Sequence, residues 1–370
     1  MKRSDLETHA FSYSSVLLDR EKFLGLLSEM DAQPDIAVFK RRVSSVREVL
    51  TTIDARHEDW LAIDAPEGAV SLRRDVLVSE LDQILEARTI ERAKYYLNRL
   101  ERGVRKVRTG RVNDINLLRW KEYDDVITDS LWVLPKRDTS GAHLGWYWGN
   151  FVPQIPHQLL LRYTKKGDWV LDPFLGSGTT LIECRRLGRH GVGIELNPDV
   201  SRRAEELVGS EPNRHSVTAT ILTGDSTKAD AAKAVAASGV NRVQLLVMHP
   251  PYHDIIRFSA EDSDLSNAAS VDAFVKMFGD VVDNFTPLLD RGRYFALVIG
   301  DKYSGGEWIP LGFYCMSEVL KRAYSLKSII VKNFDETRAK RDQRQLWRYR
   351  ALVGGFYIFK HEYVFLFRKK

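Results

Sequence analysis

From residue 168 onward, short apolar runs alternate with amphipathic stretches. Trp169–Leu171, Gly191–Glu195, a run ending near Leu222, Val243–Met248, Tyr294–Ile299, 326–332 and 363–367 are brief and bounded by turn formers. That is the pattern of strands buried on both faces. Between them, about 179–187, 198 onward, 228–237, 271–289 and 310–323 read as helices. The alternation predicts an α/β fold with a doubly wound, mostly parallel sheet of seven strands.

The first 115 residues have a different rhythm and read as a helical region. Leu77, Leu81, Ile84, Ala93, Leu97, Leu100, Val104 and Val107 mostly recur at three- and four-residue steps, which predicts one long helix over about 75–108. A second amphipathic run covers Ile36 to Ile53. Arg102, Arg105, Lys106, Arg108 and Arg111 form either a solvated helix face or a clamp on phosphates. Residues 116–149 form an aromatic-rich connecting segment with Trp120, Trp132, Trp146, Tyr147 and Trp148. Such a cluster is either core or the wall of a pocket for a flat ligand. A helix from Pro156 to about Thr164 leads into the first strand.

Composition narrows the class. An apolar content of 44% and a charged content of 28% belong to an ordinary globular chain. No apolar run approaches the roughly 18–20 residues of a membrane span, and Met-Lys-Arg-Ser-Asp-Leu-Glu has no apolar leader, so a cytoplasmic setting is expected. The two cysteines, Cys184 and Cys315, lie in separate predicted helices, which argues against a disulfide framework. No Cys/His cluster has zinc spacing, so no metal is expected. The net charge of +5 permits a polyanionic partner without requiring one.

Ligands of a doubly wound sheet bind at the carboxyl ends of its strands. Asp172, Gly176, Glu195, Asp225 and His249 all fall on that edge. In Asp172-Pro-Phe-Leu-Gly-Ser-Gly-Thr-Thr180, Gly176 and Gly178 permit a tight turn and close approach to a ligand. Thr179 and Thr180 open a helix whose N–H groups face outward. Glu195 can accept from both ribose hydroxyls, and Asp225 from an adenine amine. Two carboxylates disfavour a phosphate-rich ligand, and no P-loop lysine follows the glycines. S-adenosylmethionine fits this charge pattern, with NAD as the alternative.

His249-Pro-Pro-Tyr252 follows the fourth strand. Its prolines lack N–H groups, so the turn offers acceptors beside a tyrosine ring, which suits a flat amine. The segment from about 150 to 370 resembles the amino-methyltransferases of DNA, which methylate adenine N6 or cytosine N4. Asp172–Thr180 matches their cofactor motif, His249–Tyr252 looks like their catalytic motif, and Phe151-Val-Pro-Gln-Ile-Pro156 resembles the segment before the cofactor loop. Glu362–Arg368 resembles their closing strand. The resemblance implies the class I methyltransferase fold, Rossmann-like, and a base flipped out of the duplex.

It also implies site roles. Asp172, Pro173, Phe174, Gly176, Ser177, Gly178, Thr179, Thr180, Glu195, Asn197 and Asp225 would bind S-adenosylmethionine. His249, Pro250, Pro251 and Tyr252 would hold the base. The motif usually opens with Asp, Asn or Ser. Histidine accepts a hydrogen bond only when neutral, so activity is expected to fall below about pH 6.5. Cytosine C5 chemistry needs a cysteine nucleophile, and neither cysteine follows a proline or sits on the loop edge.

DNA would be gripped by a basic loop within 334–360, through Arg338, Lys340, Arg341, Arg344, Trp347, Arg348 and Arg350. Asp301-Lys-Tyr-Ser-Gly-Gly306 reads as a glycine loop that could cover the site. The N-terminal helices would recognise DNA or form a homodimer, and a restriction or defence-system partner is compatible with the family. Two other readings stay open: an RNA or protein amide methyltransferase, and an inactive S-adenosylmethionine-binding module.

Overall fold

A computed structural model describes residues 15–52, 58–61, 68–333 and 344–370. The chain forms two compact units: Met1–Gly110 with Ile115–Asp125, and Arg111–Asp114 with Val126–Lys370.

In the first unit β1 (Ser15–Asp19) leads into α1 (Arg20–Asp31) and α2 (Ile36–Thr51), and β2 (Ala69–Arg73) into α3 (Arg74–Glu86) and α4 (Ile90–Arg105). β1 and β2 pair antiparallel, a two-stranded sheet that the helical reading of this region did not anticipate. Phe23, Leu27, Met30, Phe39, Val43, Leu81 and Leu97 are buried in one core. The periodicity over 75–108 belongs to two helices. Ala87 is extended, and Thr89 restarts the helix by accepting from Arg92 N at 3.3 Å. At the basic end of α4, Arg105 pairs with Glu101 at 2.6 Å and Arg102 donates to the Asn98 carbonyl at 3.3 Å.

The second unit runs β3 (Leu131–Trp132), α5 (Gln154–Tyr163), β4 (Trp169–Asp172), α6 (Thr179–Leu187), β5 (His190–Glu195), α7 (Pro198–Ser210), β6 (Ala219–Thr223), α8 (Ala231–Ala237), β7 (Val243–Met248), α9 (Val271–Phe285), β8 (Leu289–Ile299), β9 (Lys302–Ser304), β10 (Glu307–Ile309), α10 (Leu311–Leu320), β11 (Tyr324–Asn333), α11 (Arg344–Gly354) and β12 (His361–Lys369). The sheet order is β3-β11-β12-β8-β7-β4-β5-β6. The seven expected strands are all present, and the two-residue β3 adds an eighth at the edge. β12 alone runs antiparallel to both neighbours.

Successive residues of the central strands enter opposite cores, the period-2 signature of a doubly wound sheet. Leu171, Leu246, Met248, Leu297 and Phe365 pack in one cluster with α9 and α10. Val170, Leu245, Val247, Val298 and Val364 pack in the other with α5. Two expectations change. Residues 344–354, read as loop, are helical. Asp301–Gly306 is no open loop, because β9 and β10 pair as a hairpin across Gly305 and Gly306.

Candidate active site

The carboxyl ends of β4 to β8 surround a cleft of about 730 Å³. Its floor is the glycine loop. Gly176 has φ +53, and its N–H donates to Glu195 Oε2 at 2.8 Å. A Cβ there would lie 3.1 Å from the Tyr147 ring, so glycine is favoured both by backbone and by space. Glu195 Oε1 accepts from Asn197 N at 2.9 Å, and Asn197 caps α7 by accepting from Asp199 N. Burial raises the Glu195 carboxyl pKa against the pull of these backbone donors.

Pro173, Phe174, Gly176, Glu195, Asn197, Asp225, His249, Pro250, Pro251 and Tyr252 all line the cleft. The other predicted loop residues lie beneath it. Asp172 is fully buried; it accepts from Phe174 N at 3.0 Å and from the Thr180 hydroxyl at 2.6 Å. Burial pushes its pKa up to about 7. Ser177 donates to Asn150 Oδ1 at 2.6 Å, and Thr179 to the same oxygen at 3.3 Å. A Cβ on Gly178 would meet Val208 at 2.8 Å, so this glycine brings α7 close. These residues shape the loop from below.

Asp225 is held from one side. Its Oδ1 accepts from Thr227 N at 2.8 Å and from the Thr227 hydroxyl at 2.7 Å. Its Oδ2 is buried and has no hydrogen-bond partner among the described residues; the exposed Lys228 ammonium is 3.7 Å away. A buried acceptor without a hydrogen bond at a cleft wall fits an amine-bearing ligand such as adenine. Arg137, also on the wall, donates Nη1 to the Phe151 carbonyl at 2.9 Å, while its Nε and Nη2 have no partner among the described residues.

Across the cleft, His249 Nε2 lies 3.1 Å from the Tyr252 hydroxyl, which donates to Glu362 Oε2 at 2.8 Å. Glu362 Oε1 is 3.1 Å from Lys332 Nζ. Phe151 stands edge-on to His249, with centroids 4.8 Å apart. Burial lowers the His249 pKa to about 4, and the nearby Lys332 adds to the effect while Glu362 opposes it. The imidazole is therefore neutral well below pH 6.5, which corrects the expected onset of acid inactivation. Gly300 makes room for Tyr252, since a Cβ there would lie 2.9 Å from its ring.

The aromatic segment divides. Trp146, Tyr147 and Trp148 line the cleft, whereas Trp132 is buried in the core. Cys184 and Cys315 are fully buried in helices with thiol pKa values pushed up, so neither presents a nucleophile. Of the residues assigned to DNA, Arg338, Lys340 and Arg341 lie outside the described residues, as does the side chain of Arg344. Trp347, Arg348 and Arg350 belong to α11, where the Arg350 guanidinium sits 5.3 Å over the Trp347 ring. Arg137, Asn150, Lys332 and Glu362 were not singled out from sequence. Of these only Glu362 left a trace, as a lone acid opening an apolar strand.

Comparison with known proteins yields the following. Residues 56–206 match a family model described as DNA methylase. The match takes in the glycine loop and stops before His249. The type II methyltransferase M.XycI of Xanthomonas campestris pv. cyanopsidis is 39% identical over 85 residues, 23% of this chain and 27% of that protein. M.MjaII of Methanocaldococcus jannaschii is 44% identical over 52 residues, 14% of this chain and 10% of that protein. The chain thus spans about a tenth to a quarter of the length of these relatives. Among solved structures, TrmN from Thermus thermophilus has a TM-score of 0.39 at 17% identity, covering 60% of this chain and 49% of that one. The resemblance to the amino-methyltransferases of DNA is borne out by the family match and the relatives. No helix among the described residues is long and apolar enough to cross a membrane.

Proposed function

We infer that this chain transfers a methyl group from S-adenosylmethionine to the exocyclic amine of a DNA base flipped out of the duplex. The observation that carries the reading is one cleft joining Glu195 and the open acceptor of Asp225 to a Pro-Pro turn headed by a neutral histidine.

Glu195 would hold the ribose, and Asp225 Oδ2 the adenine amine. Arg137 is the cation on hand for an amino-acid carboxylate. When bound, the cofactor supplies an electrophilic methyl group on a sulfonium. Pro250 and Pro251 have no N–H, so the turn meets the target amine with acceptors only. An aromatic amine is a weak nucleophile because its lone pair is delocalised. Acceptors at His249 and the turn carbonyls would draw the nitrogen toward tetrahedral geometry and free that lone pair. Trp146 and Trp148, both exposed at the cleft, offer stacking surfaces for bases. The type II designation of the relatives carries the further proposal of a restriction partner.

The test is transfer of tritium from labelled S-adenosylmethionine to duplex DNA, single-stranded DNA, tRNA and protein. Label in the amino group of adenine or cytosine of DNA is the expected result. Label confined to RNA or protein, or absent despite cofactor binding, would refute the assignment.

A further inference from the structure

Methyl transfer from this cleft requires His249 to accept a hydrogen bond, yet a neutral imidazole accepts at one nitrogen and donates at the other. Which nitrogen carries the proton is set by the bond the other makes. The structure contains such a bond and a chain behind it. Lys332 and Glu362 stand directly opposite each other in the β11–β12 ladder, with side chains 6% and 8% exposed. Their ion pair, at 3.1 Å, leaves Glu362 Oε2 to the Tyr252 hydroxyl at 2.8 Å. The phenol has one proton, and a carboxylate cannot give one. The hydroxyl therefore donates to Glu362 and turns a lone pair toward His249 Nε2, 3.1 Å away. Nε2 must carry the imidazole proton. Nδ1, which makes no hydrogen bond among the described residues, is left as an acceptor on a side chain that lines the cleft.

The geometry points to Lys332, Glu362 and Tyr252 as a relay that holds His249 in the Nε2–H tautomer, so that Nδ1 accepts from the target amine. Lys332 and Glu362 are positioning residues: they act through Tyr252 and His249. This deepens the methyltransferase reading and rests on it. It also accounts for a histidine where an acidic or amide side chain would accept unaided. The ring can replace them only if its proton is fixed on the far side.

The test uses the full-length chain with 15N-labelled histidine. Long-range proton–nitrogen spectra report the tautomer, and the spectrum of His249→Asn identifies the resonance. The expected result for the unaltered chain is Nε2–H. In Glu362→Gln the amide oxygen stays with Lys332, and its NH2 group faces Tyr252. The hydroxyl must then donate to Nε2, and the ring proton moves to Nδ1. We expect the inverted tautomer, unchanged S-adenosylmethionine affinity by calorimetry, and kcat lower by roughly 100-fold, the scale of losing one oriented hydrogen bond to the reacting group. Tyr252→Phe, which keeps the ring, cuts the relay without stranding Lys332 and should mix the tautomers with a similar loss. An Nδ1–H tautomer in the unaltered chain, or inversion in Glu362→Gln with kcat intact, overturns the relay. Absence of methyl transfer by the unaltered chain overturns the activity instead, and the tautomer spectrum separates the two failures.

Discussion

Asp225→Asn is a sharp test of the adenine side of the cleft, because the structure fixes how the new amide must lie. Thr227 presents two donors to Oδ1, at 2.8 Å from its N and 2.7 Å from its hydroxyl. An asparagine must keep its oxygen there, so its NH2 group takes the place of Oδ2, the buried acceptor without a hydrogen-bond partner among the described residues. A donor would then face the adenine amine, another donor. Losing a hydrogen bond to a charged group costs about 1.5–3 kcal/mol. That corresponds to S-adenosylmethionine binding weaker by roughly 10–150-fold. Calorimetry reads this directly. The hypoxanthine analogue, with a carbonyl in place of the amine, should bind the variant better than the unaltered chain, because the new amide can donate to it. A Kd for S-adenosylmethionine unchanged by the substitution, with no gain for the analogue, would mean that adenine does not sit against Asp225.

Three further outcomes follow from the same geometry. Because the His249 pKa is lowered to about 4, the neutral form prevails as pH falls from 8 through 6.5, so the methylation rate should stay flat to about pH 5 and fall only near 4; a break near 6.5 would put His249 in a more solvated site. Gly176→Asp forces a side chain into a φ of +53, against Tyr147 and beside Glu195, and should abolish cofactor binding in calorimetry while circular dichroism still reports a folded chain. Asp172 has a folded pKa near 7 against 3.8 unfolded, so its contribution to stability is lost as pH rises through that window; Asp172→Asn should flatten the dependence of Tm on pH between about 4 and 7, at a scale of about 4 kcal/mol, and an unaltered dependence would refute the raised pKa.

The sequence carried the parallel core because buried parallel strands are continuous in apolar residues, and the glycine loop because few residues besides glycine adopt positive φ. Less was legible where one local pattern serves two structures. The repeat over 75–108 keeps helical spacing almost throughout, yet Thr89 caps a new helix, and capping depends on one extended residue that periodicity does not register. The reverse error occurs at 344–354, where basic residues suggested a loop. Leu346, Tyr349, Leu352 and Val353 recur at helical steps there although all four are exposed. Asp172 shows a further limit: a strand-end carboxylate looks the same in sequence whether it faces a ligand or, as here, braces the loop from beneath.

The residues behind His249 were hidden for a topological reason. The rule that ligands meet the carboxyl ends of strands directs attention to the last residue of each strand, and for β4 to β8 that suffices. β12 runs the other way, so its first residues, His361 and Glu362, reach the cleft. β11 runs with the parallel strands and brings in its penultimate residue, Lys332. An antiparallel ladder thus sets one acid against one base at the site rim, and only the register decides which acid and which base. A shift of one residue would turn Glu362 to the opposite face of the sheet and leave Tyr252 without its acceptor. The departure at His249 was plain in the sequence, but what makes it workable lies more than a hundred residues away, in a pairing that no local pattern encodes.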